Sequence, residues 1–551
     1  MTPHDPEERD VARRPPEGAR ATPDEVDLRG LATRDRGPIH FVGIGGAGVS
    51  ALAEAVLRSG GEVTGCDLRS GPTTERLVTL GARVHEGHDP AHVSGAVALI
   101  TSAAVPSDHP ELDAARERGL PVLKRARALG SWVNRGRVLA VAGTHGKTST
   151  TAMIAEVLST AGLDPTAFVG GRVPSWDGNY RHGRSDLFVV EADEYDRSFH
   201  ELIPDVAVVT NVEADHLDIY GDLEGVRTAF RTFVQSVPQE PVSAEAADGS
   251  VAGAGGVAGR SRVAGRVVVC GDDPEASRLL PVVGARGYAY GLNPGVQLRA
   301  VEVRASRARD SGVRASAVRS DDPGTGTVAR PTGGFRFRVV EEGRDRGEAR
   351  LGVPGLHNVR NALAAAAVAR FLGVAWDDIF AGLERYRGVG RRFQRLGSVA
   401  GIEVVDDYAH HPTEVRATLQ AARAAHPERR LVAVFQPHLF SRTRDFHEEF
   451  GVALALADEA WVTDVYPARE EPVPGVTGEL VADATRRSRG RSVHYHADLD
   501  GLAEAVAASL RPGDLCVTMG AGSVEVVGPR ILEALDDAVH RSVAAGGGKH
   551  G

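Results

Sequence analysis

The chain has 551 residues, 42% of them hydrophobic and 25% charged, with a net charge of −10. That length carries roughly three or four domains of ordinary globular composition, and the acidic balance gives no reason to expect nucleic acid or an anionic membrane as a partner. Three scattered cysteines, Cys66, Cys270 and Cys516, offer neither a disulfide framework nor a metal cluster. No apolar run approaches the roughly 18–20 residues of a membrane span. The first 36 residues are rich in Arg, Asp, Glu and Pro without an apolar core; they read as a disordered tail and not as a signal peptide. The expectation is a cytoplasmic protein, and nothing in the sequence sets an oligomeric state.

Ordered structure is expected from near Gly37. Ile39-His40-Phe41-Val42 reads as a strand, Gly43-Ile44-Gly45-Gly46-Ala47-Gly48 as a tight turn, and Ser50 to Ser59 as a helix. Glu62 to Asp67 is the next strand. A G-x-G-x-x-G turn between strand and helix, with an acid about 20 residues on, suits a pyrophosphate at a helix N-terminus. The spacing serves NAD and a UDP-sugar equally well. Further α/β alternation follows: Ala96 to Thr101 is a strand leading to Ser102, Asp113 to Arg118 a helix, and Pro121 to Leu123 a strand. This first domain is expected over 37–135.

The next stretch is the most informative. Val138 to Ala142 reads as a buried strand, Gly143-Thr144-His145-Gly146-Lys147-Thr148-Ser149 as a phosphate-cradling loop, and Thr150 to Ala161 as a helix. Glycines let backbone N–H groups turn toward an anion, and the helix N-terminus adds partial positive charge. Lys147 is placed for the β- and γ-phosphates, and the Thr148 hydroxyl for Mg²⁺. Lysine occurs only at Lys124, Lys147 and Lys549, while arginine supplies nearly all other positive charge. A compact ammonium is retained where a planar guanidinium would not fit. Val141 stands where the commoner loop has its first glycine, so this is a shorter G-x-x-G-K-T variant.

Two strands of the expected central domain (136–392), Asp186 to Val190 and Val206 to Thr210, end in Glu191-Ala192-Asp193-Glu194 and Asn211-Val212-Glu213-Ala214-Asp215-His216. Glu191 and His216 are singled out there as ligands near Mg²⁺–ATP. Stretches 236–265 and 305–332 read as inserted surface loops. Val296 to Val303 and Phe335 to Val340 alternate as strands, and the latter continues as a hairpin into Glu348 to Leu351. A long alanine-rich helix begins near Gly355; Asn358 can cap it, or His357, Asn358 and Asn361 can face a nucleotide base. A third α/β domain (393–535) places polar clusters after successive strands: Asp406-Asp407-Tyr408-Ala409-His410-His411, Gln436-Pro437-His438 with Arg442, and Gly520-Ala521-Gly522-Ser523. Clustered histidine and arginine there point to recognition of carboxylate or phosphate. Residues 536–551 read as a tail.

Taken together, HFVGIGGAGVS (40–50), GTHGKTST (143–150), EADEYD (191–196), NVEADHLDIY (211–220), GLHNVRNALAAAA (355–367), GRRFQ (390–394), DDYAHHPTE (406–414), QPHLFSRT (436–443) and MGAGSVE (519–525) resemble the Mur ligases of bacterial cell-wall synthesis, in order and over roughly 37–535. The motif set is most similar to the branch that adds L-alanine. The resemblance implies an α/β protein of three domains: a Rossmann-like UDP-binding domain, a P-loop ATPase-like domain and a Rossmann-like C-terminal domain. It implies the substrates UDP-N-acetylmuramate, ATP and L-alanine, with Mg²⁺. Gly43, Gly45, Gly46, Gly48, Asp67 and Ser102 would then hold the UDP-sugar. Gly143 to Ser149, His357, Asn358, Asn361 and Asp407 would hold ATP, and His410, His411 and Arg442 the amino acid. Lys147, Glu191, His216 and Arg392 would serve catalysis, with Thr148, Glu191 and His216 on metal. Val49, Gln394 and Asp108-His109-Pro110-Glu111 depart from the family's usual Met, Glu and NPE. The bridging carbamoylated lysine of sister ligases has no counterpart here. The alternatives are a recycling ligase that attaches a preformed peptide, a nicotinamide-dependent oxidoreductase resting on Gly43–Gly48 and Asp67, and an inactive nucleotide-binding scaffold.

Overall fold

The computed structural model describes residues 26–33, 35–239, 265–306, 334–468, 470–489 and 492–546. The two expected inserts lie, but for a few flanking residues, outside the described residues. Three sheets organise the chain. The first is parallel and comprises β1 (Ile39–Val42), β2 (Val63–Asp67), β3 (Arg83–Glu86), β4 (Ala98–Thr101) and β5 (Val122–Lys124) in the order β3-β2-β1-β4-β5. All four residues of β1 are buried, because helices cover both faces of a parallel sheet. The strand order reverses at β1. The Gly43–Gly48 turn therefore leaves β1 at the crevice where doubly wound sheets bind ligands.

The second sheet holds β6 (Arg137–Ala142), β7 (Thr166–Val173), β8 (Gly178–Arg181), β9 (Leu187–Glu191), β10 (Val206–Val209), β11 (Arg266–Cys270), β12 (Gly287–Gly291), β13 (Leu298–Ser306), β14 (Gly334–Glu341) and β15 (Arg344–Leu351). Their order is β15-β14-β13-β12-β11-β10-β6-β9-β7-β8. β6 lies between β9 and β10, parallel to both. The carboxyl ends of these three strands therefore adjoin, and Gly143, Glu191 and Thr210 follow from that one fact. The helices Lys147–Thr160 and Leu356–Phe371 pack together over this sheet, and the alanines from Ala362 to Ala369 let their backbones approach closely.

The third sheet contains β16 (Gln394–Val399), β17 (Ile402–Asp407), β18 (Leu431–Phe435), β19 (Glu459–Val462), β20 (Ser492–Tyr495) and β21 (Leu515–Met519), ordered β16-β17-β21-β18-β19-β20. Only the edge strand β16 is antiparallel to its neighbour. Among the described residues no helix is long and apolar enough to cross a membrane.

Four expectations need correction. The N-terminal stretch is not tail throughout: Leu28–Leu31 is a helix capped by the Asp27 carboxylate. Leu28 is fully buried, and its N–H donates to Ser131 Oγ at 3.2 Å. Only one apolar face of about a turn is needed to dock such a segment, too short a signal for periodicity to reveal. At the other end, the helix Val527–Gly546 runs through residue 535, where a tail was expected to begin soon after. The helix after the phosphate loop starts at Lys147, not Thr150, so Lys147, Thr148 and Ser149 form its first turn. Asn358 is not the cap of its helix. Gly355 is, and Asn358 sits in the first turn with Nδ2 donating to Pro354 O at 2.7 Å. The structure also adds elements that had drawn no expectation, among them β3, the β7–β8 hairpin and the helix Trp376–Arg385.

If Leu28 belongs to the core, Leu28→Ala lowers stability by about 2–5 kcal/mol in urea unfolding. A change within about 0.5 kcal/mol would return the segment to the status of a surface tail.

Candidate active site

The phosphate loop is held open by its neighbours. Gly143 and Gly146 have φ of +135° and +82°, and a Cβ on Gly143 would run into Thr210 Oγ1. Asn211, the first residue past β10 and its Thr210, clamps the loop from the side. Its Oδ1 accepts from His145 N–H at 2.8 Å and its Nδ2 donates to His145 O at 3.1 Å. Lys147 Nζ donates to Gly143 O at 2.7 Å and lies 2.7 Å from Glu194 Oε2. The pair is nearly dry, with side chains 14% and 4% exposed. Burial works against the ammonium, but Glu194, Asp193 and Glu191 together more than offset it and hold Lys147 above its ordinary value. Burial pushes the Glu194 carboxyl up to about 7, against the pull of Lys147.

Thr148 Oγ1 donates to Glu191 Oε1 at 2.8 Å, and Gly170 N–H donates to Glu191 Oε2 at 2.5 Å. His216 has φ of +53° at the head of the short helix Leu217–Tyr220. Its Nε2 lies 3.9 Å from both Glu194 Oε1 and Asp215 Oδ2, and burial lowers its affinity for a proton. The oxygen donors of Thr148 and Glu191 are of the kind a hard divalent ion takes, and His216 adds a nitrogen beside Glu194 and Asp215.

Three cavities surround this core. One of about 280 Å³ lies between the second and third sheets. His145, Gly146, Thr148, Ser149, His357, Asn358, Asn361, Arg392 and Asp407 all line it. Asp407 is fixed by N–H donors from Phe393 (2.8 Å) and Ala409 (2.9 Å), and burial raises its carboxyl to about 6. Asn361 Nδ2 donates to Asn358 Oδ1 at 3.2 Å, and burial drives His357 down to about 4. A second cavity, of about 340 Å³, is lined by Gly43, Gly46, Gly48 and Ser102 from the first domain and by Gly170 and Glu191 from the second. A third, of about 490 Å³, continues past Gly45 and Asp67, whose Oδ2 accepts Gly45 N–H at 2.8 Å. Glu191 thus bridges the phosphate loop and the cavity beside the first glycine turn.

The remaining sequence-predicted residues divide. Arg442 is buried and donates to Asp215 Oδ1 at 2.6 Å. Burial opposes the Asp215 charge, yet Arg442 and His216 hold that carboxyl well below its usual range. His410 lies 3.2 Å from Glu414 Oε2 and edge-on to His438, and burial lowers it to about 3. His411 instead faces His145, Phe446 and Glu213. Sequence reasoning missed Asn211, Glu194, Asp215 and Glu414. All four stand inside quoted motifs, but what marks them is burial and long-range pairing.

This architecture, a cavity between two α/β domains at a phosphate loop with a second opening toward a glycine-turn domain, defines a three-domain nucleotide-binding protein of the phosphate-loop type. Comparison with known proteins agrees. The family profile for "Mur ligase family, catalytic domain" matches residues 38–137, "Mur ligase middle domain" residues 141–254, and "Mur ligase, glutamate ligase domain" residues 391–522. The UDP-N-acetylmuramate–L-alanine ligase of Oleidesulfovibrio alaskensis is 41% identical over 90% of this chain and 98% of its own length. That of Acidothermus cellulolyticus is 44% identical over 91% and 95%. The crystal structure of the UDP-N-acetylmuramate–alanine ligase of Thermotoga maritima superposes with a TM-score of 0.72 at 29% identity, covering 91% of this chain and all of that one. A murein peptide ligase from Psychrobacter arcticus gives 0.61 at 25% identity, covering 91% and 98%. The chain belongs to the Mur ligase family.

Removing one partner of a buried ion pair strands the other. Glu194→Ala therefore destabilises the central domain by about 3–5 kcal/mol, read by chemical denaturation. A loss below about 1 kcal/mol would mean that the loop carbonyls alone satisfy Lys147.

Proposed function

We propose that this protein is an ATP-dependent ligase that joins L-alanine to the lactyl carboxylate of UDP-N-acetylmuramate in peptidoglycan synthesis, acting in the cytoplasm. The observation that carries this reading is Glu191. It faces the phosphate loop through Thr148 and lines the cavity of the Gly43–Gly48 turn, so γ-phosphate and sugar-borne carboxylate have one meeting point.

A carboxylate is a poor acyl donor because oxide is a poor leaving group. In the proposed reaction the lactyl carboxylate oxygen attacks the γ-phosphorus of ATP and ADP leaves, giving an acyl phosphate. The neutral amine of L-alanine then attacks the acyl carbon, and phosphate departs from the tetrahedral intermediate. Two unit anions at about 4 Å repel by about 4 kcal/mol at an effective dielectric of 20. Lys147 and Arg392 supply fixed positive charge against that repulsion. Thr148 and Glu191 would hold Mg²⁺ and His216 a second divalent ion, which when bound screen the phosphate charge. His357, Asn358, Asn361 and Asp407 shape the ATP cavity. Gly43, Gly45, Gly46, Gly48, Asp67 and Ser102 form the UDP-sugar side. Arg442, with His410 beside it, is the clamp for the alanine carboxylate. Asp215 pairs with that guanidinium, as Glu194 pairs with Lys147.

The recycling ligase is the second reading. Among solved structures the alanine-adding ligase superposes at a TM-score of 0.72 with 29% identity and the murein peptide ligase at 0.61 with 25%, which favours the first. Turnover with a tripeptide and not with L-alanine would reverse that preference. The oxidoreductase reading leaves the phosphate loop without a use.

Lys147→Ala should abolish ADP formation while calorimetry shows UDP-N-acetylmuramate still binding. Lys147→Arg should fail equally, since a planar fork does not fit between the loop carbonyls and Glu194; turnover in that variant would refute the geometric argument. Arg442→Ala should raise KM for L-alanine at least about tenfold and leave KM for ATP near its starting value. An unchanged alanine KM would remove Arg442 from the amino-acid site.

A further inference from the structure

The described residues gather another cluster of metal-ligating chemistry where the domains meet. His145 comes from the phosphate loop, Glu213 from the loop after β10, and His411 from the residue capping the helix Pro412–Ala425. His145 Nε2 lies 3.6 Å from Glu213 Oε2, and His411 Nδ1 lies 3.8 Å from the same oxygen. The two imidazole centroids are 4.9 Å apart, and one ligating atom from each residue lies within 4.8 Å of the others. These separations are too long for hydrogen bonds. The 3.6 and 3.8 Å separations are close to the edge of a tetrahedron whose bonds are about 2.0–2.2 Å long, and an ion would draw the two imidazoles slightly together.

Orphaned atoms point to an occupant. His411 is 5% exposed, and neither of its ring nitrogens has a hydrogen-bond partner; His145 Nε2 has none either. A buried polar group left so costs about 1–3 kcal/mol. The surroundings are also those of a ligand set. The other nitrogen of His145, Nδ1, lies 3.1 Å from Glu414 Oε1, and Glu213 accepts from Thr413 Oγ1 at 2.7 Å. A carboxylate on the far nitrogen is how a metal-binding imidazole is oriented. Burial holds His411 down to about 4, leaving it neutral with a lone pair to give. Burial alone would do the same to His145, but Glu414 and Glu213 carry it up to about 10. Glu213 and Glu414 are half-buried, and while Arg392 lies 3.6 Å from Glu414, the Glu213 oxygen faces only the two imidazoles and the Thr413 hydroxyl.

We infer that His145, Glu213 and His411 form a binding site for a transition-metal dication of the Zn²⁺/Co²⁺ class, separate from the Thr148, Glu191 and His216 set. Two imidazoles and one carboxylate suit such an ion far better than Mg²⁺, which prefers oxygen ligands. The three ligands leave a fourth position for water or a phosphate oxygen. An ion so held bonds the C-terminal domain to the phosphate loop, fixing the closed arrangement around the 280 Å³ cavity. Binding displaces the proton on His145.

The test uses the full-length protein titrated with CoCl₂ under excess MgCl₂ and without substrates, followed by visible absorption. The wild type should bind one equivalent with the intense bands of four-coordinate Co²⁺. His216→Ala should keep them. His411→Ala and Glu213→Gln should each lose them while still binding UDP-N-acetylmuramate, which shows that the first domain remains folded. Glu414→Gln should weaken Co²⁺ binding about 10–100-fold. Three results overturn the inference: no four-coordinate species in the wild type, which would leave a water as the occupant; bands that survive His411→Ala and Glu213→Gln; or bands that vanish in His216→Ala. Because no turnover is measured, this outcome is independent of the ligase reading.

Discussion

Lys147 is held 2.7 Å from Glu194 with both side chains nearly dry, and the ends of β6, β9 and β10 meet around that contact. A ligase of this kind must press a carboxylate against a triphosphate, and both are anions. A mobile surface lysine would be hydrated and screened there. Burial strips away that hydration, so the Lys147–Glu194 contact is stronger than a surface pair would be. Arg442 makes a comparable buried pair with Asp215. In each pair the carboxylate satisfies a cation that burial would otherwise penalise.

Sheet topology explains why such distant residues converge. β6, β9 and β10 run side by side in parallel, so the loop with Lys147, the loop with Glu191 and Glu194, and the loop with Asn211 to His216 leave the sheet at one edge. The third sheet turns the carboxyl end of β17 toward the same place, bringing Asp407 and Glu414 to the cavity that holds Thr148 and Asn361. The first sheet offers its own switch point, the Gly43–Gly48 turn, to the far side of Glu191. Each domain thus contributes the end of its strands, where backbone N–H groups and helix N-termini are free to meet anions.

What could be read from the sequence follows the range of the forces involved. The Gly143–Ser149 loop was legible because its function is local: glycines for the turn, lysine for the phosphate, a helix start for the dipole. β1 matches its expected limits, Ile39 to Val42, because a short run of largely apolar residues ending at a glycine turn has one obvious extent. Glu194 is not singled out, since nothing in EADEYD says which of its acids will be buried against a lysine 47 positions away. The helix Leu28–Leu31 was hidden by a charged, proline-rich neighbourhood, although a single leucine suffices to dock it. Asn358 looked like a cap because asparagine often is one, but Gly355 with φ of +97° takes that role. His411 was grouped with His410 by adjacency, whereas neighbouring residues ahead of a helix point in different directions.

The central claim is that the carboxylate and the γ-phosphorus are brought into bonding contact before alanine reacts. Transfer of oxygen tests it most directly. With the lactyl carboxylate of UDP-N-acetylmuramate labelled with ¹⁸O, turnover with ATP and L-alanine should place one carboxylate ¹⁸O in each inorganic phosphate released, seen by mass spectrometry of the phosphate. Phosphate free of label, with both carboxylate oxygens otherwise accounted for in amide and water, would contradict the account, because the acyl oxygen would then never have met phosphorus.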